Sequence, residues 1–298
     1  MKTFNYSILL IVLLGLTSCT QNTIFKVKDS TPVMVVDAEI TTQAKVHRVK
    51  LTESTNVFFD EKAPAVEGAT VVIEDSRYKH MLTEVAPGIY ETLDTVRGYV
   101  GEEYRLSIEK DGEFYSARET LRPVGDIECA FLVKGDSTSL FLADEYLILM
   151  SGSEPEGLGD FYLWNYYEDG VLISDTVTEK FYGDDEFIDG TDFTAVLVAF
   201  VDTEKVDPVN KTVMLEMKSI SEGYYDYLFG LQLETFRGSP FDGPPANPPT
   251  NMSEGAIGFF RATDISQKDM CVLLDVNTAL GTCDQGCLDD ALLLLENQ

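Results

Sequence analysis

The stretch that decides the fold class reads Tyr104-Arg105-Leu106-Ser107-Ile108-Glu109-Lys110-Asp111-Gly112-Glu113-Phe114-Tyr115-Ser116. Its first apolar residues alternate with polar ones, which is the period of a half-buried strand. Asp111-Gly112 is the residue pair that a tight hairpin turn prefers, and the chain returns through Phe114. This stretch therefore predicts two antiparallel strands joined by a short turn.

The same signals extend over the first part of the chain. Val33-Met34-Val35-Val36 is a β-branched run that follows Pro32, and Ala69, Val71 and Ile73 alternate with their neighbours. No helical stripe of useful length occurs before residue 122. We expect residues 31–122 to form a small β-sandwich.

A second set of strands is predicted beyond the joint Pro123-Val124-Gly125-Asp126, over residues 126–270. Phe161 to Tyr167 leads into a second Asp-Gly turn at Asp169-Gly170. The run Ala195 to Val201 is continuously apolar, which predicts a strand covered on both faces. The mature chain, roughly 280 residues, suits two domains, the second larger than the first.

The period changes once, between about residues 221 and 236. Apolar residues there surround most of a helix, Ser221 is a suitable N-cap, and Gly238 a suitable C-terminal stop. A helix that is apolar on nearly all sides is expected to be packed into its domain. The following residues, 240–251, are rich in proline and predict a rigid surface loop, in which Asn247 and Asn251 are candidate contacts to a ligand or partner.

The N-terminus predicts export. Lys2 precedes the short apolar run Ile8 to Leu14, which is about half the length that spans a bilayer, so residues 1–18 are typical of a signal peptide. The ending Leu16-Thr17-Ser18-Cys19 resembles a bacterial lipobox. We expect Cys19 to be lipidated and residues 19–30 to tether the protein to a membrane.

Charge and cysteine content fit this compartment. The chain has 51 acidic and 22 basic side chains, a net charge of -29, which makes nucleic-acid binding improbable and assigns membrane attachment to the lipid. Without Cys19, four cysteines remain: Cys129, Cys271, Cys283 and Cys287. An even number suits an oxidising compartment, and we expect a bridge in the tail 271–298 between Cys271 and either Cys283 or Cys287. The spacing does not match a zinc site.

Sequence signals for catalysis are weak. His47 and His80 are the two histidines, neither has a suitably spaced partner, and no nucleophile elbow or phosphate-binding glycine loop occurs. We therefore expect a non-catalytic protein without a resident cofactor. One candidate for calcium is the acidic turn that contains Asp184, Asp185, Glu186 and Asp189. Its spacing differs from an EF-hand, and a solvated acidic turn is the favoured interpretation.

One aromatic constellation could bind a ligand or partner. Tyr162, Trp164 and Tyr166 fall on one face of their predicted strand. If exposed, they would suit stacking on sugars or contact with a protein. The alternative is that this face belongs to the second core.

The order of these features resembles a Bacteroidota lipoprotein family described as domain of unknown function 4249. The matching motifs are the lipobox, Gly68-Ala69-Thr70-Val71, Gly88-Ile89-Tyr90, Gly101 to Leu106, Tyr224 to Tyr227, Asn251 and Gly255 to Ala262. The resemblance implies a transthyretin-like sandwich, similar to carboxypeptidase regulatory domains, in the first part. It also implies a partnership with a TonB-dependent outer-membrane receptor, because genes of this family commonly lie beside such receptors. The tail from Cys271 onward departs from the family pattern.

The sequence thus predicts a mainly β, lipid-anchored protein of the outer membrane, facing either the periplasm or the cell surface. The expected role is that of an accessory protein that helps a TonB-dependent receptor to capture a nutrient or other ligand. The alternative is a structural or adhesive surface lipoprotein.

Overall fold

The hairpin predicted from residues 104–116 is present in the structure. The computed structural model describes residues 32–289, except 56–61, 136–144, 238–245, 276–277 and 282. Glu103–Lys110 and Glu113–Thr120 pair as an antiparallel hairpin, and Tyr104, Leu106 and Ile108 are buried. Asp111 (φ 53°) and Gly112 (φ 85°) form its turn, in the left-handed region that Asp-Gly pairs tolerate.

These strands belong to an eight-stranded sheet, which we call the first sheet. Seven of its strands come from the first part of the chain: β1 (Met34–Thr41), β2 (Arg48–Glu53), β3 (Thr70–Glu74), β4 (Lys79–Ala86), β5 (Ile89–Thr92), β6 (Glu103–Lys110) and β7 (Glu113–Thr120). The strand order is β15-β1-β2-β5-β4-β3-β6-β7, in which β15 is Ala256–Thr263. The sheet wraps around a core of buried aliphatic and tyrosine side chains, which includes Ile40, Leu51 and Tyr90.

The eighth strand of the first sheet comes from the later part of the chain. This strand, β15 (Ala256–Thr263), pairs in parallel with β1, with Val36 opposite Gly258. Phe260 and Met252 add to the first core. From Pro32 onward the chain forms one compact unit, in which the segment around residues 252–263 is part of the first sheet and not of the predicted second domain.

The remaining strands form two five-stranded sheets. The second sheet contains β10 (Phe161–Glu168), β11 (Val171–Leu172), β12 (Phe181–Asp184), β14 (Val213–Ile220) and β16 (Ile265–Asp269). The third sheet contains β8 (Ile127–Lys134), β9 (Glu145–Ser153), β13 (Asp192–Asp202), β17 (Cys271–Asp275) and β18 (Thr278–Leu280). A short 3₁₀ helix, Val177–Glu179, precedes β12.

The second and third sheets pack face to face, and we call this pair the sandwich. Their common core joins Ile148 and Met150 of β9 to Tyr166 of β10 and Leu215 of β14. The prediction that Ala195 to Val201 is covered on both faces is wrong. β13 is an edge strand with two register shifts, and Val196, Leu197 and Phe200 are 37%, 48% and 45% exposed.

The main helix, α1 (Glu222–Thr235), begins where the sequence predicts. The Ser221 hydroxyl accepts a hydrogen bond from the Tyr224 backbone N–H, which satisfies a free donor at the helix start. Only Tyr224 and Leu228 are buried, whereas Phe229 and Leu233 are each 52% exposed. The helix thus packs into the molecule through Tyr224 and Leu228, as expected, but its face with Phe229 and Leu233 is displayed, which the sequence did not predict. Gly238 lies outside the described residues.

The mainly β fold class with one main helix is confirmed. The signal peptide, Cys19, the tether 19–30, residues 240–245 of the proline-rich loop and the end of the tail from residue 290 lie outside the described residues. Among the helices that the structure describes, none is long and apolar enough to cross a membrane.

Two disulfides attach the tail to the third sheet. Cys271 at the start of β17 pairs with Cys283, and Cys129 of β8 pairs with Cys287 in a helical turn over residues 285–289. The structure thus selects Cys283 as the partner of Cys271. The early part of the predicted tail is itself sheet, because β17 pairs in parallel with β8.

Candidate functional site

The predicted aromatic ladder lies mostly inside the sandwich. Tyr162 and Tyr166 are each 2% exposed, and Trp164 is half-buried. The Tyr162 hydroxyl donates to Glu154 (2.5 Å), the Tyr166 hydroxyl donates to Glu168 (2.9 Å), and burial raises the pKa of both tyrosines. The three residues do not form an exposed stacking surface, and the alternative, that this face belongs to the second core, is confirmed for Tyr162 and Tyr166.

Trp164 and Tyr166 instead line a cavity of about 240 Å³, which we call the inter-sheet cavity. It opens between the second and third sheets, beside the edge strand β13. Both sheets contribute to its apolar lining, which includes Ile148, Trp164, Phe181, Ala199, Phe200, Val201 and Leu215. Such a concave and largely apolar space is typical of small-molecule sites.

Aromatic rings shape the mouth of the cavity. Phe181 and Phe200 meet edge to face with their centroids 4.9 Å apart, and Phe200 is 45% exposed. The Trp164 indole is fixed by a hydrogen bond, which its Nε1 donates to the Met150 sulfur at 3.2 Å. A ligand that enters would therefore pass Phe200 and reach the Trp164 ring.

A few polar groups interrupt this lining. Glu179 and Lys205 form an ion pair of 2.5 Å at the cavity. Nearby, the Lys180 ammonium donates to the Asn165 side chain (3.1 Å) and to the Ser174 carbonyl (2.6 Å), and burial lowers its pKa to about 8. These groups can orient one polar end of a ligand. The described lining residues include no histidine or cysteine.

The acidic turn is reorganised relative to the prediction. Only Asp185 of the four candidates joins a carboxylate cluster, together with Glu154 and Asp160, with ligand oxygens within 4.8 Å of one another. Asp184 accepts from the Glu186 backbone N–H (3.1 Å) and Asp189 from the Gly157 backbone N–H (2.6 Å), which are contacts that shape the turn.

The carboxylate cluster has its own hydrogen bonds. The Gly159 N–H donates to both Asp185 oxygens at 3.1 and 3.0 Å, and Tyr162 donates to Glu154. Burial raises the pKa of Glu154 and Asp160, and the neighbouring Asp185 raises that of Asp160 further. Calcium takes six to eight oxygen ligands, so three carboxylates would be part of a shell. Calcium binding stays a prediction.

The candidate asparagines have different positions. Asn251 exchanges two hydrogen bonds with the backbone of Phe260, accepting from its N–H (3.0 Å) and donating to its carbonyl (2.7 Å). This side chain thus extends the ladder beside β15, which is a structural task. Asn247 is exposed.

Sequence reasoning missed Glu154, Phe181 and Phe200 as lining or cluster residues. Phe181 and Phe200 fall in short or irregular strands, so no periodic signal joins them to Trp164. The single tryptophan of the chain was the one signal that pointed to this place.

Comparison with known proteins assigns a family to this architecture. The family's sequence profile matches residues 22–269, most of the chain. The chain belongs to the family described as Domain of unknown function (DUF4249). No curated protein matches it. Among solved structures, it is similar at 14% identity to Yersinia pseudotuberculosis adhesin InvE, with a TM-score of 0.19 over 63% of this chain and 55% of that chain. The chain thus spans little more than half of that adhesin's length.

Proposed function

We propose that this DUF4249 protein is a lipid-anchored, non-catalytic accessory protein of the bacterial outer membrane. In this role it binds a small, largely apolar ligand and works beside a TonB-dependent receptor that takes the ligand up. The inter-sheet cavity is the observation that carries the binding part of the proposal. Attachment rests on the signal peptide and Cys19, and the receptor partnership rests on the family resemblance.

Several properties of the cavity support a ligand site. Its volume of about 240 Å³ matches a ligand of one or two rings, and aromatic side chains line its path. Polar groups interrupt the apolar lining, and they include Glu145, Asn165, Asp202 and the Glu179–Lys205 ion pair. This mixture favours a largely apolar ligand that carries a polar group.

Dye binding tests the cavity directly, because Trp164 is the single tryptophan of the chain and lines it. We expect the neutral two-ring dye 6-propionyl-2-(dimethylamino)naphthalene, which has one polar carbonyl end, to quench Trp164 emission saturably. Ala199→Leu, which places a larger side chain at the buried cavity wall, should abolish quenching. The control is Phe229→Ser with Leu233→Ser, which removes the exposed apolar face of α1. This variant should retain the quenching. Quenching that is lost in the control and kept in Ala199→Leu would overturn the cavity as the site.

Pull-down from gently solubilised outer membranes tests the partnership. We expect a stoichiometric outer-membrane receptor to co-purify with the native protein, and the Cys19→Ser variant to be lost from the membrane fraction. Recovery of the protein alone, together with its release by protease treatment of intact cells, would favour a structural or adhesive surface role instead.

A further inference from the structure

One groove of the molecule is positively charged, whereas the chain as a whole is strongly negative. The protein has a net charge of -29, yet five of its basic side chains line a single groove: Lys45, Arg48, Lys50, Lys62 and Arg261. Only two acidic residues, Asp37 and Glu39, line it with them. We call this feature the basic groove.

The groove lies on the outward face of the first sheet, at β1, β2 and β15. Antiparallel pairing places Lys50 opposite Asp37 and Ile89, and Arg48 opposite Glu91. Arg48 and Lys50 are exposed, whereas Val49 between them is fully buried in the first core. Strand geometry therefore directs both cations out of the sheet into one space of about 920 Å³.

The positive charge of this groove is only partly neutralised. Arg48 pairs with Glu91 (2.5 Å) and Arg261 with Asp37 (2.8 Å). Lys45, Lys50 and Lys62 form no ion pair with any residue that the structure describes. His47 at the floor is buried, and burial lowers its pKa to about 4, so it is neutral at pH 7. The five cations, set against Asp37, Glu39 and the Arg48 partner Glu91, give the groove a net charge of about +2.

We propose that the basic groove binds an extended acidic peptide segment of a partner protein. Residues two apart on a strand lie about 7 Å apart, which is the spacing of Arg48 and Lys50 and also of alternate side chains in an extended peptide. Ala63, Pro64, Ala65 and Pro87 supply small apolar walls between which such a peptide fits. The space is also larger than a single small anion fills.

The acidic surface of the rest of the protein restricts where an anionic partner can bind. Its acidic surface repels anions in general, so an anion that binds must be held by local contacts in the groove. Charge-assisted hydrogen bonds from Lys and Arg to carboxylates are the strong kind, and salt weakens them. The site is separate from the inter-sheet cavity and does not depend on it.

Fluorescence anisotropy with a labelled peptide of alternating Thr and Glu tests the groove, and the peptide of alternating Thr and Gln is its neutral match. We expect only the acidic peptide to bind, with an affinity that falls as salt is added. R48Q with K50Q should weaken binding at least about tenfold. K79Q with K134Q removes two positive charges outside the groove and should leave affinity within about twofold, since distant surface charges are screened.

Three results would overturn the proposal. Equal losses in the two double variants would mean that general charge, and not the groove, attracts the peptide. Equal binding of the neutral peptide would remove the role of carboxylates. Binding of oligogalacturonate, a carboxylate-bearing sugar chain, without binding of the acidic peptide would assign the groove to an acidic glycan. Thermal melts of each variant verify that it is folded.

Discussion

The first sheet and the sandwich differ most in the polar groups that they bury. The first sheet buries threonines and His47 among aliphatic side chains. The sandwich and its rim bury four carboxylates and a lysine: Glu154, Glu168, Asp185, Glu216 and Lys218. Both disulfides also lie in the sandwich. The first sheet is therefore stabilised mainly by apolar packing and its backbone ladder, whereas the sandwich depends on specific pairs and cross-links.

Removal of the disulfides should have the largest effect, and it should destabilise the sandwich while leaving the first sheet largely unchanged. Cys129–Cys287 closes a sequence separation of 158 and Cys271–Cys283 one of 12. By chain entropy, C129S with C287S should lower the free energy of unfolding by about 5 kcal/mol, and C271S with C283S by about 3 kcal/mol. Urea unfolding gives these values. Hydrogen exchange should show faster opening of β8 and β17 with β3 and β6 unchanged; equal acceleration in the first sheet would contradict the comparison.

The second prediction concerns a buried pair that joins the two regions. Lys218 of β14 donates to both Glu39 oxygens at 2.9 and 3.0 Å, and its side chain is only 11% exposed. Burial by itself would raise the pKa of Glu39, but the charges of Lys218 and Arg261 and the hydrogen bond from Lys218 together lower it to about 2. Lys218→Met would leave Glu39 and Glu216 without this partner, so we expect a loss of about 4 kcal/mol in stability.

A matched exposed pair provides the control for Lys218→Met. Arg118 and Glu103 lie 2.9 Å apart, with side chains 62% and 55% exposed. Arg118→Met should cost less than about 1 kcal/mol in urea unfolding, because water already screens this pair. Similar losses at the two positions would mean that burial does not govern the contribution of these charges.

A substitution at Gly258 tests the pairing of β15 with β1 in the first sheet. Its φ is 99°, and a Cβ atom there would stand 2.0 Å from the Val36 carbonyl oxygen. Gly258→Ala should therefore cost about 3 kcal/mol through strain and a broken β1–β15 ladder. Gly68 also has positive φ (70°) but open space around it, so Gly68→Ala should cost only about 1 kcal/mol. Equal thermal shifts in the two variants would show that backbone conformation alone, without the clash, sets the cost.

The predictability of each region follows from this same difference. Tyr104, Leu106 and Ile108 were readable because one face of β6 is buried and the other exposed. On β14 nearly every residue is buried, so alternation cannot reveal that Glu216 and Lys218 point into protein. Parallel pairing of β15 with β1 joins residues more than 200 positions apart, for which a single sequence holds no local signal.

The sites follow the same rule. Four of the 22 basic residues fall between positions 45 and 62, a concentration that was visible in the sequence but only gains meaning when β15 brings Arg261 beside them. The inter-sheet cavity depends on the distance between two sheets, which composition does not encode. Cysteine pairing was narrowed by position in the tail but chosen only by the fold.

His47 provides the last test, because it is buried in the first sheet and its ordinary pKa lies close to neutral pH. Its side chain is 1% exposed, and Nε2 donates to the Val96 carbonyl at 3.0 Å. Burial lowers the folded-state pKa from 6.5 to about 4, and the Lys45 charge adds to this against the Val96 hydrogen bond. Between these values the unfolded chain binds a proton that the folded chain does not, so stability falls as pH falls through this window.

The expected loss is about 3 kcal/mol between pH 6.5 and pH 4, at 1.36 kcal/mol for each unit of pKa. Urea unfolding at closely spaced pH values measures it. His47→Gln keeps an N–H donor but does not titrate, so its stability should vary less with pH across this window by that amount. Because Glu39, with its pKa of about 2, loses its contribution only below pH 4.5, the difference between wild type and His47→Gln isolates the histidine. Parallel pH profiles for the two proteins would mean that His47 accepts its proton without opening the core of the first sheet.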